Sequence, residues 1–397
     1  MNNINFLEKL LDGVAVELKP LSEVGVFVRG KRFVKTDILS EGIPCIHYGE
    51  LYTHFGISAT TAKSFLSEEL ASKLRFADTG DVVIVSAGET VEDIGNGTAW
   101  KGSDKVVIHD ACFAFKSNLN SVYVSYFLRT KSFKDQIKKS ISSGKISSIN
   151  SVGLGKAIIP IPCPENPEKS LEIQAEIVRI LDTMTAHTAE LTAELTAELT
   201  LRKKQYNYYR DKLLSFEDGE VEWKTLGEIT ISIAAGRNKH RDSEGEYPVY
   251  GSTGIIGFTD EVAYSGNMLL VARVGAYAGL VNLVSGKFDV SDNTLILRPS
   301  KEWNVRFAFH QLINMNLNQY AVGAGQPLLT GGLLKSLKVP FPSLEKQIKI
   351  SEALDKFDAL TTSITEGLPR EIELRQKQYE YYRDALLSFP KPTTINE

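Results

Sequence analysis

The segment LRKKQYNYYRDKLLSF (Leu201–Phe216) returns later in the chain as LRQKQYEYYRDALLSF (Leu374–Phe389), with 13 of 16 positions identical. The same offset of 173 residues aligns three pairs upstream, Gln174 with Gln347, Leu181 with Leu354 and Asp182 with Asp355. Each copy is about 43 residues long. The chain therefore contains a long internal duplication.

Both copies have the apolar spacing of an amphipathic helix. The first stripe is matched position by position in the second, as Ile177, Ile180, Leu181 and Met184 against Ile350, Ala353, Leu354 and Phe357. It continues as Tyr206, Tyr209, Leu213 and Phe216 against Tyr379, Tyr382, Leu386 and Phe389. Matching stripes predict that the two helices pack on each other. Unbroken from Leu171 to Phe216, the first copy would be roughly 70 Å long.

A four-residue repeat lies inside the first copy, where HTAELTAELTAELT (His187–Thr200) contains Thr-Ala-Glu-Leu three times. Leu191, Leu195 and Leu199 are expected to form the buried face of this spacer repeat. The glutamates Glu190, Glu194 and Glu198 are interpreted as its solvated face. In the second copy Gly367 and Pro369 align with this run, so that helix is expected to break there.

Each helical copy follows a segment rich in short β-branched runs and turns. VELKPLSEV (Val16–Val24) resembles VEWKTLGEI (Val221–Ile229), and the proline pair ending at Pro162 resembles the pair ending at Pro342. Between these marks DVVIVSAG and KVVIH in the first half, and MLLVARVG and TLILRP in the second, predict strands. Each half is then one mixed α/β globular domain followed by a helix.

The predicted fold class is α+β, with two mixed α/β domains separated by two long helical regions that form an antiparallel coiled coil. The predicted divisions are residues 1–165, 166–217, 218–343 and 344–397. The N-terminal EKLLDGVAVELKPL (residues 8–21) resembles DKLLSFEDGEVEWKTL (residues 211–226), as if the chain began at the tail of a missing helix. A repeat divided in this way can close on itself, so a pseudo-two-fold molecule is expected.

Composition limits the class of protein. The chain has 397 residues, 43% of them hydrophobic and 24% charged, which predicts two or more packed cores. Cys45, Cys112 and Cys163 are far apart and form no CxxC pair, which argues against a disulfide framework or zinc ribbon and fits a reducing, cytoplasmic location. No signal peptide and no membrane span are expected. The net charge of −4 argues against a protein that coats nucleic acid.

The sequence contains none of the common catalytic motifs. A phosphate loop, HExxH, GxSxG and the kinase motifs are absent, and the GxG triplets at Gly95, Gly153 and Gly323 are interpreted as turns. The Glu-x-Lys triplets at Glu17 and Glu222 are interpreted as strand-edge charges. The six histidines are scattered. No catalytic or metal-binding residue is assigned, and a self-contained endonuclease or methyltransferase is the enzymatic alternative.

Three basic clusters lie outside the helical repeats: RGKRFVK (Arg29–Lys35), KSFKDQIKKS (Lys131–Ser140) and GRNKHR (Gly236–Arg241). Such clusters neutralise phosphates while neighbouring side chains read base edges; the alternative is ordinary surface charge. The DNA-binding candidates are Arg29, Lys31, Arg32, Lys35, Lys138, Lys139, Lys145, Arg237, Lys239 and Arg241. The loops SSGKISS and GAGQP are weaker candidates. The tyrosine pairs at Tyr208 and Tyr381 are interpreted as packing groups of the helices.

The TAEL run, the two copies of the helical segment and the VEWKTLGEI opening closely resemble the DNA-specificity subunit of type I restriction–modification systems, in the branch with TAEL repeats. The resemblance implies that each domain is a target-recognition domain for half of a split double-stranded DNA sequence. It also implies that the helices dock two modification subunits, which methylate adenine, and that restriction subunits join through the complex. S-adenosylmethionine, ATP and Mg²⁺ are then expected on those partners, with no cofactor on this chain and no membrane partner.

This resemblance gives the TAEL count a physical meaning. One unit adds about 6 Å of helix and turns its far end by about 40°. One base pair adds about 3.4 Å of DNA and roughly 34°. We hypothesise that the repeat is a ruler whose count sets the unread gap between half-sites. The alternative function is an orphan specificity chain that acts as a DNA-binding or partner-sequestering scaffold.

Overall fold

The protein is described by a computed structural model that covers residues 13–144, 146–217, 219–323, 325–363 and 366–389. These residues form two compact units. The first unit combines Met1–Thr192 with Leu374–Glu397, and the second is Ala193–Glu373. Each unit therefore joins one sheet-rich domain to segments of the helical repeats.

The first unit contains thirteen strands among its described residues. They are β1 Val16–Pro20, β2 Gly25–Arg29, β3 Ile43–Ile46, β4 Ser58–Ala59, β5 Ser64–Leu66, β6 Phe76–Ala77, β7 Val82–Val85, β8 Ala87–Gly88, β9 Gly97–Trp100, β10 Val106–Ile108, β11 Cys112–Ser117, β12 Ser147–Ser148 and β13 Ile158–Pro162. Its short helices are α1 Leu21–Val24, α2 Glu50–Thr53, α3 Glu68–Ala71, α4 Ser121–Phe127, α5 Lys131–Ile137 and α6 Ser151–Gly155, with 3₁₀ turns at Lys35–Asp37 and Lys138–Ser140.

Two larger sheets organise the first unit. One has the order β2-β11-β7-β9-β4, and the other has the order β5-β3-β10-β6. In the second sheet β10 runs parallel to β3. The remaining pairs are β1 with β13 and β12 with β8. The predicted strand-edge charges of the first half lie in β1, where Lys19 is 2.9 Å from Glu17.

A single helix, α7, runs without interruption over Pro167–Leu214 and belongs to both units. At about 1.5 Å per residue it is roughly 72 Å long, as the stripe predicts. It contains the whole TAEL run, in which Leu191, Leu195 and Leu199 are half-buried and Glu190 and Glu194 are exposed. The predicted leucine face is therefore present, although the leucines keep part of their surface in solvent. The solvated face is present at Glu190 and Glu194, whereas Glu198 is half-buried and pairs with Arg202 at 2.7 Å.

The second unit repeats this plan. Its strands are β14 Glu222–Thr225, β15 Thr230–Ala235, β16 Tyr247–Gly251, β17 Gly254–Thr259, β18 Tyr264–Ser265, β19 Met268–Ala272, β20 Val281–Val284, β21 Lys287–Val290, β22 Thr294–Pro299 and β23 Lys338–Phe341. Its helices are α8 Leu226–Ile229, α9 Val305–Asn314, α10 Gly331–Ser336 and α11 Leu344–Thr362, with a 3₁₀ turn at Leu317–Tyr320. The sheet orders are β15-β22-β19-β20, β17-β16-β21-β18 and β14-β23, and β16 runs parallel to β21.

The second helical copy is broken where the sequence predicts. Helix α11 ends at Thr362 and a further helix, α12, begins at Leu368 and ends at Leu387. Gly367 lies between them with a φ of 83°, and a Cβ there would approach the carbonyl oxygens of Ala359 and Leu360 to within 3.0 Å. Glycine tolerates both conditions, so the chain can pass close to the end of α11 and enter α12, where the first copy continues as one helix.

Equivalent contacts tie each domain to its helices. In the first unit the Gln174 side-chain oxygen accepts a hydrogen bond from the backbone N–H of Asn120 at 2.9 Å. In the second unit Gln347 accepts from Asn304 at 2.8 Å. Both asparagines cap the next helix, α4 or α9, through their side-chain oxygens. The duplication in sequence is therefore also a duplication of contacts.

The core of each unit includes the predicted helical stripes. Ile177 and Leu181 of α7, with Leu386 and Leu387 of α12, are buried in the first unit. Ile350 and Leu354 of α11 are buried in the second. Helix α12 thus packs on the first domain, as expected if the C-terminal copy supplies the helix that is missing before that domain. The N-terminal match to this helix tail, residues 8–12, lies outside the described residues.

The prediction for the first tyrosine of each pair is wrong. Tyr209 stacks on Phe357 with ring centroids 5.6 Å apart, so the second tyrosine of that pair does pack. Tyr208 and Tyr381, however, are 59% and 64% exposed. The residues next to them on the helix supply the packing instead. Two equivalent aromatic groups are therefore left on the surface.

The other predictions about the whole chain can be compared directly. The α+β class with two mixed domains and long helices is confirmed. Cys45, Cys112 and Cys163 are free thiols. Among the residues that the structure covers, no helix combines the length and apolar character needed to cross a membrane. Within the same ranges, His, Cys, Asp and Glu side chains form no group of three or more suited to a metal.

Candidate nucleic-acid interface

The two domains share a backbone arrangement at the end of their largest sheets. Gly30 follows β2 and donates its N–H to the carbonyl of Cys112 at 3.0 Å. Gly236 follows β15 and donates to the carbonyl of Thr294 at 2.9 Å. A Cβ at either glycine would come within 3.0 Å of two carbonyl oxygens, those of Ile108 and His109 in the first unit and Val290 and Ser291 in the second. Glycine is therefore needed for this close approach.

These glycines place two of the predicted basic clusters at equivalent sites. The cluster Arg29–Lys35 continues from the end of β2, next to the start of β11. The cluster Gly236–Arg241 continues from the end of β15, next to the start of β22. Their candidate side chains are exposed at Arg29, Lys31, Arg32, Lys35, Arg237, Lys239 and Arg241. Arg29 donates to the carbonyl of Asp110 at 3.0 Å, and Lys31 donates to that of Lys73 at 2.8 Å.

The third basic cluster has a different character. Lys134 turns inward and donates to the carbonyls of Glu92 and Ile94 at 3.0 and 2.8 Å. Burial, together with the charge of Arg129, lowers its pKa to about 8. Lys138 and Lys139 are exposed in the 3₁₀ turn just before the hairpin 142–148. Lys145 lies outside the described residues.

The two weak loop candidates form matching hairpins. Ser142 bridges Ser148 in the first unit, and Val322 bridges Leu328 in the second. Each hairpin then pairs with the residue that follows a central strand, Ser148 with Ala87 and Leu328 with Val274. The predicted equivalence of SSGKISS and GAGQP is thus present in the backbone, except that Lys145 and Ala324 lie outside the described residues.

One position of this frame carries very different side chains in the two units. The N–H of Ser86 donates to Ala111 at 2.8 Å, and its carbonyl accepts from Ile149 at 2.9 Å. The N–H of Arg273 donates to Asn293 at 2.9 Å, and its carbonyl accepts from Leu329 at 2.8 Å. Ser86 and Arg273 therefore occupy the same backbone position.

A second such position is His109 in the first unit and Ser291 in the second. The N–H of His109 donates to the carbonyl of Ile46 at 3.3 Å, and that of Ser291 donates to Tyr250 at 2.9 Å. His109 follows β10, which runs parallel to β3, and Ser291 follows β21, which runs parallel to β16. We call the frame around these positions the polar edge of each unit. It has four parts: the loop that begins at Gly30 or Gly236, the turn after β10 or β21, the residue Ser86 or Arg273 just after β7 or β19, and the hairpin closed by the Ser142–Ser148 or Val322–Leu328 bridge.

The polar edge of the first unit contains two histidines that are distant in sequence. The rings of His47 and His109 lie 4.7 Å apart between Phe33 and Tyr48. His109 Nε2 donates to the carbonyl of Phe33 at 3.0 Å, and its Nδ1 accepts from Ala111 at 3.1 Å. This pattern requires the neutral ring.

Electrostatics agree with neutral histidines at this edge. Burial lowers the pKa of His47, and the neighbouring His109 ring and the charge of Lys35 act in the same direction. Burial also lowers the pKa of His109, and the nearby charge of Arg32 acts in the same direction. The Asp110 carboxylate, 3.0 Å from His109 Nδ1, opposes this effect. The basic loop therefore helps to keep both rings uncharged and able to donate and accept hydrogen bonds.

No sequence motif pointed directly to Ser86, Arg273, His47 or Ser291. A signal exists in retrospect, because both VIVSAG and LLVARVG place one polar residue between a buried apolar run and a glycine two positions later. The histidine pair has no such signal, since 62 positions separate His47 from His109. Only the parallel pairing of β3 with β10 brings these two residues together.

Comparisons with known proteins agree with this architecture. Residues 14–201 and 219–374 match the family described as type I restriction modification DNA specificity domain. The chain is 39% identical to the EcoprrI specificity subunit of Escherichia coli, over 92% of this chain and 93% of that protein. It is 36% identical to the EcoR124I/EcoR124II specificity subunit of Escherichia coli, over the full length of both.

Two solved structures have a similar fold. One comes from a study of complex assembly and conformational transition of the type I restriction–modification system, with a TM-score of 0.67 and 15% identity over 94% of this chain and 97% of that chain. The other is the HsdS subunit from Thermoanaerobacter tengcongensis, with a TM-score of 0.52 and 15% identity over 94% and 95%. At these identities the likeness is one of fold.

Proposed function

The chain belongs to the DNA specificity subunits of type I restriction–modification systems, and we propose that each of its units reads one half of a bipartite target in double-stranded DNA. Sequence-specific DNA recognition is the role of this family, whose members are non-catalytic because the methyltransferase activity lies on partner subunits. The bipartite target is the finer part of the proposal.

The observation that carries the proposal is the pair of polar edges. Both have the same backbone frame, yet one presents serine and histidine where the other presents arginine and serine. A constant frame with different donors and acceptors suits two surfaces that dock on DNA alike and read different base edges. Exposed cations beside each frame would neutralise phosphates and fix the register.

The helices supply two further functions in this proposal. Helix α7 is continuous through the TAEL run, so the number of units sets its length and thereby the gap between half-sites. Each repeat copy also exposes a leucine and a tyrosine seven positions apart, which share one helix face. These are Leu201 with Tyr208 and Leu374 with Tyr381, all between 42% and 64% exposed.

Two equivalent exposed apolar patches indicate two equivalent binding partners. We assign them to the two modification subunits, with the restriction subunits joining through the complex. S-adenosylmethionine, ATP and Mg²⁺ would then be bound by those partners and no cofactor by this chain. Action on chromosomal DNA would place the chain in the cytoplasm.

The test is a genome-wide map of adenine methylation in cells that express this chain with a modification subunit of the same branch. A split motif with a constant gap supports the proposal. If the complex assembles with an active modification subunit and no new methylation appears, the proposal fails and a partner-sequestering scaffold is favoured.

A further inference from the structure

Arg273 is unusual among the arginines of the described residues. It is half-buried at the polar edge of the second unit, and its Nε is shielded from solvent without a hydrogen-bond partner in the described part of the chain. Arg129 Nε is shielded in the same way, but the guanidinium of Arg129 is held by other hydrogen bonds, whereas that of Arg273 makes none to the described residues. Other half-buried arginines use their guanidinium groups. Arg129 donates to the carbonyls of Gly56 and Gly97, and Arg306 binds the Asp355 carboxylate.

A shielded Nε–H without a partner destabilises the folded chain. Arginine stays charged in proteins, and burying part of a charge without a partner costs free energy. A buried donor left unsatisfied keeps the cost of its lost hydration. Such a group is expected where its partner arrives from outside the fold.

Neighbouring side chains at the same edge are also incompletely paired. Asn238 Oδ1, Ser291 Oγ and Thr294 Oγ1 are shielded from solvent and lack a partner within the described residues. Ser291 and Thr294 are only 3% and 1% exposed. The backbone brings them next to Arg273, because Thr294 pairs with Ala272 and Asn238 bridges Ser291. Acceptors and a strong donor therefore lie at the polar edge where the ends of β19 and β21 and the start of β22 come together.

We propose that Arg273 determines specificity by donating to the O6 and N7 acceptors of a guanine in the half-site read by the second unit. This inference rests on the proposed function. The planar fork of arginine matches these two acceptors in the major groove. Ser86 occupies the same backbone position in the first unit, so that unit has no comparable guanine reader there.

A phosphate is the other DNA group that a guanidinium recognises, and it gives a different result. A base contact controls which sequences are methylated, whereas a phosphate contact changes methylation by a similar factor at all sequences. Lysine retains the charge of arginine but not its fork. The variant Arg273→Lys therefore separates the two contacts.

The experiment maps methylation by complexes that contain the unaltered chain, Arg273→Lys, Arg273→Gln, or the control Arg298→Lys, an exposed arginine on β22 of the same unit. Size-exclusion chromatography confirms assembly of each complex. We expect both Arg273 variants to relax one G·C pair of one half-site, with discrimination lowered roughly 5- to 150-fold. The other half-site and the Arg298→Lys motif remain unchanged.

Three outcomes overturn the inference while the unaltered chain still methylates a split motif. In the first, the Arg273 variants change the methylated motif but relax no G·C pair in either half-site. In the second, they lower methylation by a similar factor at all sequences. In the third, both variants leave the motif unchanged. Absence of methylation by the unaltered chain would instead contradict the proposed function. If the complex with the Arg273→Gln chain does not assemble, the result for Arg273→Lys alone tests the inference.

Discussion

Nε2 of His310 lies 2.6 Å from Oδ1 of Asp355, and this pair joins α9 to α11 at the centre of the second unit. The equivalent pair in the first unit is Tyr126, which donates its hydroxyl to Asp182 at 2.7 Å. Asp182 and Asp355 are related by the 173-residue offset. The same helical position thus pairs with an imidazole in the second unit and with a phenol hydroxyl in the first.

This difference predicts a pH-dependent stability for the second unit. Burial lowers the pKa of His310, although Asp355 opposes it. The unfolded chain therefore binds a proton more readily than the folded chain, so stability is retained above about pH 6.5 and lost as pH falls through the folded pKa. Thermal unfolding between pH 5.5 and 8 should show less loss at low pH for His310→Gln.

The matched control is His240→Gln, because His240 is exposed in the same unit. It should keep the pH dependence of the unaltered chain. An equal pH dependence in His310→Gln and the unaltered chain would contradict this account of His310.

The glutamines that join each domain to its helix should be important for stability. Gln174 and Gln347 are fully buried and accept from the N–H groups of Asn120 and Asn304. Substitution by alanine leaves these N–H groups unsatisfied and should lower the free energy of unfolding by about 1–3 kcal/mol. Hydrogen exchange should increase in α4 for Gln174→Ala and in α9 for Gln347→Ala. Exposed Gln376, replaced by alanine, should change stability by less than about 0.5 kcal/mol.

Alanine should not be tolerated at the two glycines of the polar edges. At Gly30 and Gly236 a methyl group would overlap backbone carbonyls, which cannot move without displacing the sheet. Overpacking of this kind costs about 1–3 kcal/mol. Gly56→Ala and Gly332→Ala are the controls, because a Cβ at those positions meets no atom within 4 Å. Equal urea midpoints for Gly30→Ala and Gly56→Ala would show that the close approach is unimportant.

The exposed tyrosines should govern assembly. Replacement of Tyr208 or Tyr381 by lysine places a charge in one of the two proposed docking patches, and loss of such an aromatic contact costs about 2 kcal/mol, roughly 30-fold in affinity. Native mass spectrometry should find one modification subunit bound to each single variant and none bound to the double variant. Val262→Lys, at an exposed apolar residue outside the helices, should retain both. Two bound subunits in the double variant would refute the assignment.

The helices were largely predictable from the sequence because their signals are local. The i, i+3, i+4 stripe marks Ile177 and Leu181 as buried, and Gly367 marks the break in the second copy through its own backbone preference. Family resemblance added the class of partner. The polar edges were not predictable in the same way, because His47 meets His109 only through the parallel pairing of β3 and β10.

The basic clusters show the limit of a composition argument. Arg29–Lys35 and Gly236–Arg241 both reach the polar edges, but Lys134 in the third cluster turns inward to bind carbonyls. Charge alone does not distinguish these environments. Arg273 was missed for the opposite reason, since a single arginine in a buried run forms no cluster.

The most direct test of the central claim is to delete Thr196–Leu199, one TAEL unit, and to map adenine methylation with the same modification subunit. The deletion removes about 6 Å of helix and slightly more than one helical turn, so the leucine stripe roughly keeps its face. We predict the same two half-sites separated by a shorter, constant gap. An active complex that methylates the original motif with its original gap would contradict the claim that the helix measures DNA.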